Sequence, residues 1–254
     1  LRECLSSFIA MANYYSPANP AAPYVIEELE INPFAFTDYL MVPLDGMCRF
    51  ARPKPLPPAR PYHKIENLLH PQTIGIVGVS ISRLNFGRII LQNIVANGFK
   101  RSAIRIIRPG IEEFEGILCV ADLASLDCKV DLLVIAVGSE KVPELVDEIL
   151  EFDCAESVLL IPGGMGETVE SVDRAARVTA RIARAHRKGD GGPVFLGANS
   201  LGVVSHPGKF DTLFIPDAKL PKQRGDRRRN AAFVSQSGAF MITRLSKRPE
   251  LDPA

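Results

Sequence analysis

The sequence predicts an α/β protein built on a doubly wound parallel sheet, and three observations carry that reading. From residue 64 onward, short strand-like apolar runs alternate with segments of helical periodicity, as right-handed βαβ crossovers require. Two of the runs, "DLLVIAV" and "SVLLIPG", are apolar throughout, as strands covered by helices on both faces must be. The first unit, "IGIVGVSISRLNFGRIILQNIVANG" (74–98), reads as a strand, a turn of small residues and a helix, the arrangement that holds phosphates in such sheets.

Taken in order, the pattern predicts strands at 73–79, 103–107, 131–137, 157–161 and 193–197, with helices near 87–97, 141–152 and 169–187. The last helix, "SVDRAARVTARIARAHRKG", keeps Ala, Val and Ile on one side and is expected to present its arginines to solvent. Upstream, a helix is expected near 1–15, a strand over 25–31, a turn at "NPFAFTD" and a strand over 40–44. One helix and two strands cannot enclose a core alone, so this unit reads as the tail of a larger domain. Segment 49–64, "RFARPKPLPPARPYHK", holds five prolines and five basic residues and is expected to be an extended linker. From 230, "NAAFVSQSGAFMITRL" reads as a strand, a small-residue turn and a helix that open a further unit. The expected division is 1–48, 49–64, 65–210 and 211–254, a chain cut at both ends.

Bulk properties narrow the function. The chain has 254 residues, 46% of them hydrophobic, with 30 basic and 29 acidic side chains, so no global field recruits nucleic acid or an anionic membrane. Its apolar runs are strand-sized, and the opening "LRECLSSFIAMANYY" is interrupted by polar residues, unlike a signal peptide. Five scattered cysteines lack metal spacing and read as reduced thiols of a cytoplasmic protein.

The turn Gly78-Val79-Ser80-Ile81-Ser82-Arg83-Leu84-Asn85-Phe86-Gly87 does not have the Gly-x-Gly-x-x-Gly spacing of a dinucleotide fingerprint. It still suits an anion, through backbone N–H groups, a helix N-terminus and the donors of Ser80, Ser82 and Arg83. Such turns also occur empty. The second strand, "AIRIIRPG", ends in Arg108 where an NAD site wants a carboxylate for the ribose diol. A guanidinium there suits a ribose phosphate, which NADP carries at the 2′ and coenzyme A (CoA) at the 3′ position.

These residues resemble the CoA-binding domain of nucleoside-diphosphate-forming acyl-CoA synthetases, the acetate- and succinyl-CoA ligase superfamily, whose CoA-binding domain is Rossmann-like. The matching pieces are "IGIVGVSISRLNFGR", "IIRPG", "DLLVIAV", "VLLIPGGMGE", "FLGANSLGVV" and "VSQSGAF", the last opening the family's next ligase domain. "LEINPF" followed by "VPLDG" resembles the end of an ATP-grasp domain, so the order is that of a fused β-then-α ligase.

The resemblance implies acid + CoA + NTP ⇌ acyl-CoA + NDP + phosphate, through an acyl phosphate and a phosphohistidine. CoA, ATP or GTP, and Mg²⁺ would be bound, with a small carboxylic acid as substrate and a homo-oligomer or a heteromer as the assembly. It implies a diphosphate cradle of Gly78, Ser80, Arg83 and Gly87, with Arg108 and Pro109 beside the adenosine and Val137 lining the crevice. Gly163 and Gly164 would admit the thiol end, with Glu167 as a neighbouring polar group and Asn199 fixing the Gly-Pro-Asn-like turn. Ser235, Ser237 and Gly238 would form an anion-holding helix start. Glu30 and Asn32 share one strand face, and Asp45 ends the next strand. By resemblance Asn32 and Asp45 are the metal-side residues and Glu30 lines the phosphoryl-transfer site. The family's lysine after the second strand's proline is missing, since Gly110 and Ile111 follow Pro109, and Gly138 stands where proline is frequent. None of His63, His70, His186 or His206 lies in a glycine-rich loop, so the shuttle histidine is expected outside this chain. Two other readings use the same loop: an NADP-dependent oxidoreductase and a non-catalytic CoA- or dinucleotide-sensing module.

Overall fold

The structure, a computed structural model, describes residues 2–54, 59–221, 229–251 and 253. It forms two compact units, Leu1–Pro58 and Ala59–Ala254. In the first, α1 (Arg2–Tyr14) precedes β1 (Val25–Ile31), β2 (Phe34–Phe36), β3 (Met41–Pro43) and β4 (Gly46–Ala51). β1 and β4 pair antiparallel, from Val25 opposite Ala51 to Ile31 opposite Gly46, and β2 and β3 form a hairpin at the tip. Two expectations are corrected here. "NPFAFTD" is not all turn, because its aromatic-rich first half makes β2 and only Thr37–Leu40 reverses the chain, closed by Thr37 N–H to Leu40 O at 2.8 Å. The supposed linker begins inside β4: Arg49 bonds Glu28 across the ladder and Phe50 packs edge-on against Tyr24, partners that lie over twenty residues upstream and override local proline content.

The second unit begins with a 3₁₀ turn at Tyr62–Lys64 that runs into α2 (Ile65–Leu69). Then follow β5 (Ile74–Val77), α3 (Phe86–Ala96), β6 (Ile104–Ile107), β7 (Glu113–Phe114), β8 (Ile117–Val120) and β9 (Val130–Ile135). α4 (Val142–Phe152), β10 (Ala155–Leu160), α5 (Val169–Ala185), β11 (Val194–Leu196), β12 (Val204–Ser205), β13 (Phe210–Asp211) and α6 (Gly238–Lys247) complete it. Seven strands make one sheet in the order β11-β10-β9-β5-β6-β8-β7, parallel except for the terminal β7–β8 hairpin. Numbering the parallel strands by chain position gives 3-2-1-4-5-6, so the order reverses between β5 and β9.

The third parallel strand, β8, is not anticipated by the sequence reading. No helix carries the chain from β6 to β8 or from β8 to β9, and "ILCV" is too short to show a period of its own. The expected strand from 230 is also absent. Residues 229–236 have no strand, Val234 is 92% exposed, and an apolar run without a neighbouring edge to bond has nothing to hold it extended.

Helices cover both faces. α3 places Ile90, Leu91 and Ile94 on Ile74, Ile76, Ile104, Ile106 and Val134, while α4 and α5 place Val142, Val146, Ile149 and Val178 on Leu133, Ile135, Val158 and Leu160. Consecutive strand residues therefore point into two separate cores, which is why these strands read as unbroken apolar runs. Asn93, buried in α3, donates to Leu213 O at 2.7 Å and Ile215 O at 3.0 Å and so fastens the segment after β13. All five cysteines are free, and burial pushes the Cys154 thiol up to about 11. Among the described residues, no helix is long and apolar enough to cross a membrane.

Candidate functional site

The carboxyl ends of β5, β6, β9, β10 and β11 lie along one edge of the sheet, where the loops collect most of the residues singled out from the sequence. The strand order reverses at β5/β9, the place along the carboxyl edge where open α/β sheets bind their ligands.

The β5–α3 turn is built around two glycines and one asparagine. At Gly78, φ is +102° and an added Cβ would stand 2.4 Å from Ala136 O and 3.0 Å from Val137 Cγ1, so this turn and the loop after β9 touch through bare backbone. At Gly87 a Cβ would meet Gly78 O at 2.5 Å, which lets α3 begin directly on the turn. Asn85 holds the rest. Its Nδ2 donates to Gly78 O at 2.7 Å, and its Oδ1 accepts from Ser80 N at 3.2 Å and from Arg88 N at 3.0 Å as the helix cap. Asn85 has no role among the sequence expectations, yet an Asn immediately before the helical run is a recognisable N-cap signal. Ser80 accepts from Arg83 N at 3.3 Å, and the Arg83 side chain is exposed.

Arg108 leaves the end of β6 and reaches back to this turn, with Nη1 donating to Val79 O at 3.1 Å and Nε buried without a partner among the described residues. Pro109 and Gly110 follow at the surface. Arg88 braces the other side, through Nη1 to Ile81 O at 3.0 Å, Nη2 to Glu115 at 3.1 Å, and its guanidinium 5.1 Å above the Phe114 ring. At the α3 start the half-exposed Phe86 stacks on Phe214, with centroids 4.6 Å apart.

Loops after β10 and β11 meet. A Cβ on Gly163 would lie 3.3 Å from Asn199 Oδ1, Asn199 N donates to Pro162 O at 2.9 Å, and Asn199 itself takes a left-handed φ of +55°. Glu167 folds back to accept the N–H of Met165, so its carboxylate shapes its own loop. Arg177 and Arg184 of α5 are exposed, as the sequence pattern predicts, but the half-buried Arg174 departs from that face. Arg177 and Arg181 pair with Asp147 of α4, and Arg174 donates to Gly164 O at 2.7 Å and Ser139 Oγ at 3.2 Å. Position 174 lies on the stripe with Ser171, Ala175 and Val178, and that spacing was the available signal.

Ser237 caps α6 by accepting from Phe240 N at 3.2 Å, whereas Ser235 donates to Ser237 O and does not cap. A Cβ on Gly238 would stand 3.0 Å from Leu201 Cβ, so the α6 start sits beside the turn that holds Asn199. His70 bonds Glu66 at 2.7 Å, and His186 Nε2 lies 3.2 Å from Pro193 O.

In the first unit, Glu30, Asn32 and Asp45 are all exposed near the open end of the β1–β4 ladder. Asn32 N donates to Asp45 O at 3.1 Å, and Asp45 Oδ1 accepts from Gly46 N at 2.8 Å, which brings Asn32 and Asp45 side by side. Among the described residues, no group of three or more His, Cys, Asp or Glu is placed to hold a metal ion.

Comparison with known proteins gives the second unit a family. Residues 72–204, just over half of the chain, match the family model described as a CoA binding domain. The α subunit of acetate–CoA ligase [ADP-forming] I from Pyrococcus furiosus is 27% identical over 185 residues, 70% of this chain and 36% of that protein. Acetate–CoA ligase [ADP-forming] II from Archaeoglobus fulgidus is 24% identical over 70% of this chain and 24% of its own length. Among solved structures, the dinucleotide-forming acetyl-coenzyme A synthetase 1 of Ca. Korarchaeum cryptofilum, in complex with phosphate and ADP, superposes with a TM-score of 0.60. It is 28% identical, over 72% of this chain and 36% of that one. The chain thus spans about a third or less of the relatives it matches.

Proposed function

Because the chain belongs to the CoA-binding domain family, we propose that it binds CoA along the carboxyl edge of its sheet as part of an acid–CoA ligase that forms a nucleoside diphosphate. The single observation that carries this reading is Arg108. It ends the second strand where a bare ribose diol would need a carboxylate, it is anchored to the diphosphate turn through Val79 O, and its Nε has no partner among the described residues. A 3′-phosphate would give this guanidinium a charged acceptor beside the neutral Val79 O that it already holds.

In this reading the diphosphate lies over the turn that follows Gly78 and the start of α3, with Arg83 closing from the solvent side. The adenosine runs past Arg108 and Pro109, and the pantetheine arm crosses Val137 toward Gly163, Gly164 and Glu167. Asn199 holds that last turn in place, and the Ser235–Gly238 helix start next to it supplies a further anion-holding end. The thiolate would attack the carbonyl carbon of an acyl phosphate, forming the thioester and releasing inorganic phosphate, while the acyl phosphate would form from the acid and a phosphohistidine that other parts of the enzyme contribute and the nucleoside triphosphate recharges.

The first unit is proposed to close an ATP-grasp domain. Asn32 and Asp45, joined by a main-chain hydrogen bond, both carry the hard side-chain oxygens that suit Mg²⁺, a cation that keeps most of its waters and needs few protein ligands. When bound, the ion would neutralise phosphate charge on ATP or GTP. Glu30 would face the same nucleotide.

Titrating the chain with CoA, dephospho-CoA and NADP by calorimetry tests the reading. CoA is expected to bind at least about tenfold more tightly than dephospho-CoA, the worth of one charge-assisted hydrogen-bond set. Tight NADP binding with no response to CoA would replace it with the oxidoreductase reading.

A further inference from the structure

We propose that Arg174 is a positioning residue for the pantetheine end of the site: it sets the spacing between the loops that follow β9 and β10, and through it the fit of the ligand's arm. The inference rests on the CoA reading above and extends it to a residue outside the recognised motifs.

Arg174 stands in the second turn of α5 and points inward. One nitrogen, Nη1, serves both loops, donating to Gly164 O at 2.7 Å and to Ser139 Oγ at 3.2 Å. The loops are already in contact there, since a Cβ on Gly164 would lie 2.8 Å from Ser139 Oγ and 3.7 Å from the same nitrogen. Gly164 has φ +76°, so its carbonyl takes a direction that ordinary residues rarely offer, and the guanidinium is what meets it. Both acceptors are neutral oxygens. The next arginines on the helix differ, because Arg177 and Arg181 spend their charge on Asp147 of α4. Arg174 therefore fastens two ligand-facing loops that belong to adjacent central strands, with Gly163 immediately beyond the fastened carbonyl. It acts through those loops and not by contact with the reacting atoms.

The test separates the two ends of the ligand. Wild type, R174A, R174K and R177A are titrated with CoA and with adenosine 3′,5′-bisphosphate, which keeps the phosphorylated adenosine and omits pantetheine. Circular dichroism and thermal melting check that each variant is folded. R174A is expected to lose about tenfold in CoA affinity, with the bisphosphate changed less than about twofold. R174K, which keeps the charge and a single rotatable donor group, is expected to fall between wild type and R174A and covers the case in which R174A fails to fold. R177A is expected to match wild type with both ligands. Equal weakening of both ligands by R174A, or no weakening of either, would overturn the inference while leaving CoA binding in place. A wild-type chain that binds neither ligand would overturn the CoA reading and this inference with it.

Discussion

The two edges of the parallel sheet treat charge in opposite ways. At the amino edge carboxylates and cations are matched. Lys64, only 5% exposed at its side chain, lies between Glu156 at 2.8 Å and Asp190 at 2.5 Å. Arg105 pairs with Asp127, Lys129 with Asp153 and Glu156, and Asp131 accepts from Gln72 N, Thr73 N and Asn67. At the carboxyl edge Arg108 and Arg174 donate to main-chain oxygens of glycine-rich loops, and glycines bring those loops within backbone contact. The first arrangement uses up charge to hold the fold. The second keeps cationic charge beside open backbone, which is what an anionic ligand requires.

The largest expected effect breaks the carboxyl edge. G78A forces a Cβ to 2.4 Å from Ala136 O at a left-handed φ, and should cost about 3 kcal/mol or more in urea unfolding and abolish CoA binding in calorimetry. A stable, CoA-binding G78A would mean that the two loops can separate freely. Next, R108A should lower CoA affinity by about tenfold to a hundredfold, remove the preference over dephospho-CoA, and leave unfolding within about 1 kcal/mol of wild type. A large loss of stability instead would place Arg108 with the structural cations of the other edge.

The amino edge should respond the other way. K64A leaves Asp190 without its cation and Glu156 with Lys129 alone, and should destabilise by about 2 kcal/mol, less than a wholly buried pair because Asp190 and Glu156 keep contact with water, while CoA affinity stays unchanged. The smallest effect is on pH. The hydrogen bond from Lys64 holds the Asp190 carboxyl down at about 2, below its ordinary 3.8. A depressed carboxylate contributes stability that is complete above the ordinary value and lost as pH falls through the window from 3.8 to about 2. Acid unfolding of wild type should therefore steepen there, and K64A should flatten that part of the curve. An identical slope in both proteins would detach Asp190 from the stability of this edge.

How much of this was legible in the sequence depends on where the partners of each residue lie. β5, β9 and β10 are self-evident because unbroken apolar runs mean two covered faces, and the β5–α3 unit shows its own turn and its helical spacing. β4 and β8 were lost because their identity comes from a ladder neighbour. β4 has its partner over twenty residues upstream, and "ILCV" becomes a strand by bonding to β6 and turning back from β7. In the site, Arg108 was readable from strand-end chemistry alone. Arg174 was not recognised because a basic residue on an arginine-rich helix looks solvated until its place on the inner stripe is counted against Ser171 and Val178. Asp45 was expected to end a strand, and the structure places it between β3 and β4 next to Asn32.

Asn93 gives α3 two attachments. The helix begins on the glycine turn, and about 10 Å further along, at seven residues of 1.5 Å each, it grips the main chain at 213 and 215. The glycine turn and the segment at 213–215 are therefore fixed to the same rod, so neither can change its place without displacing α3.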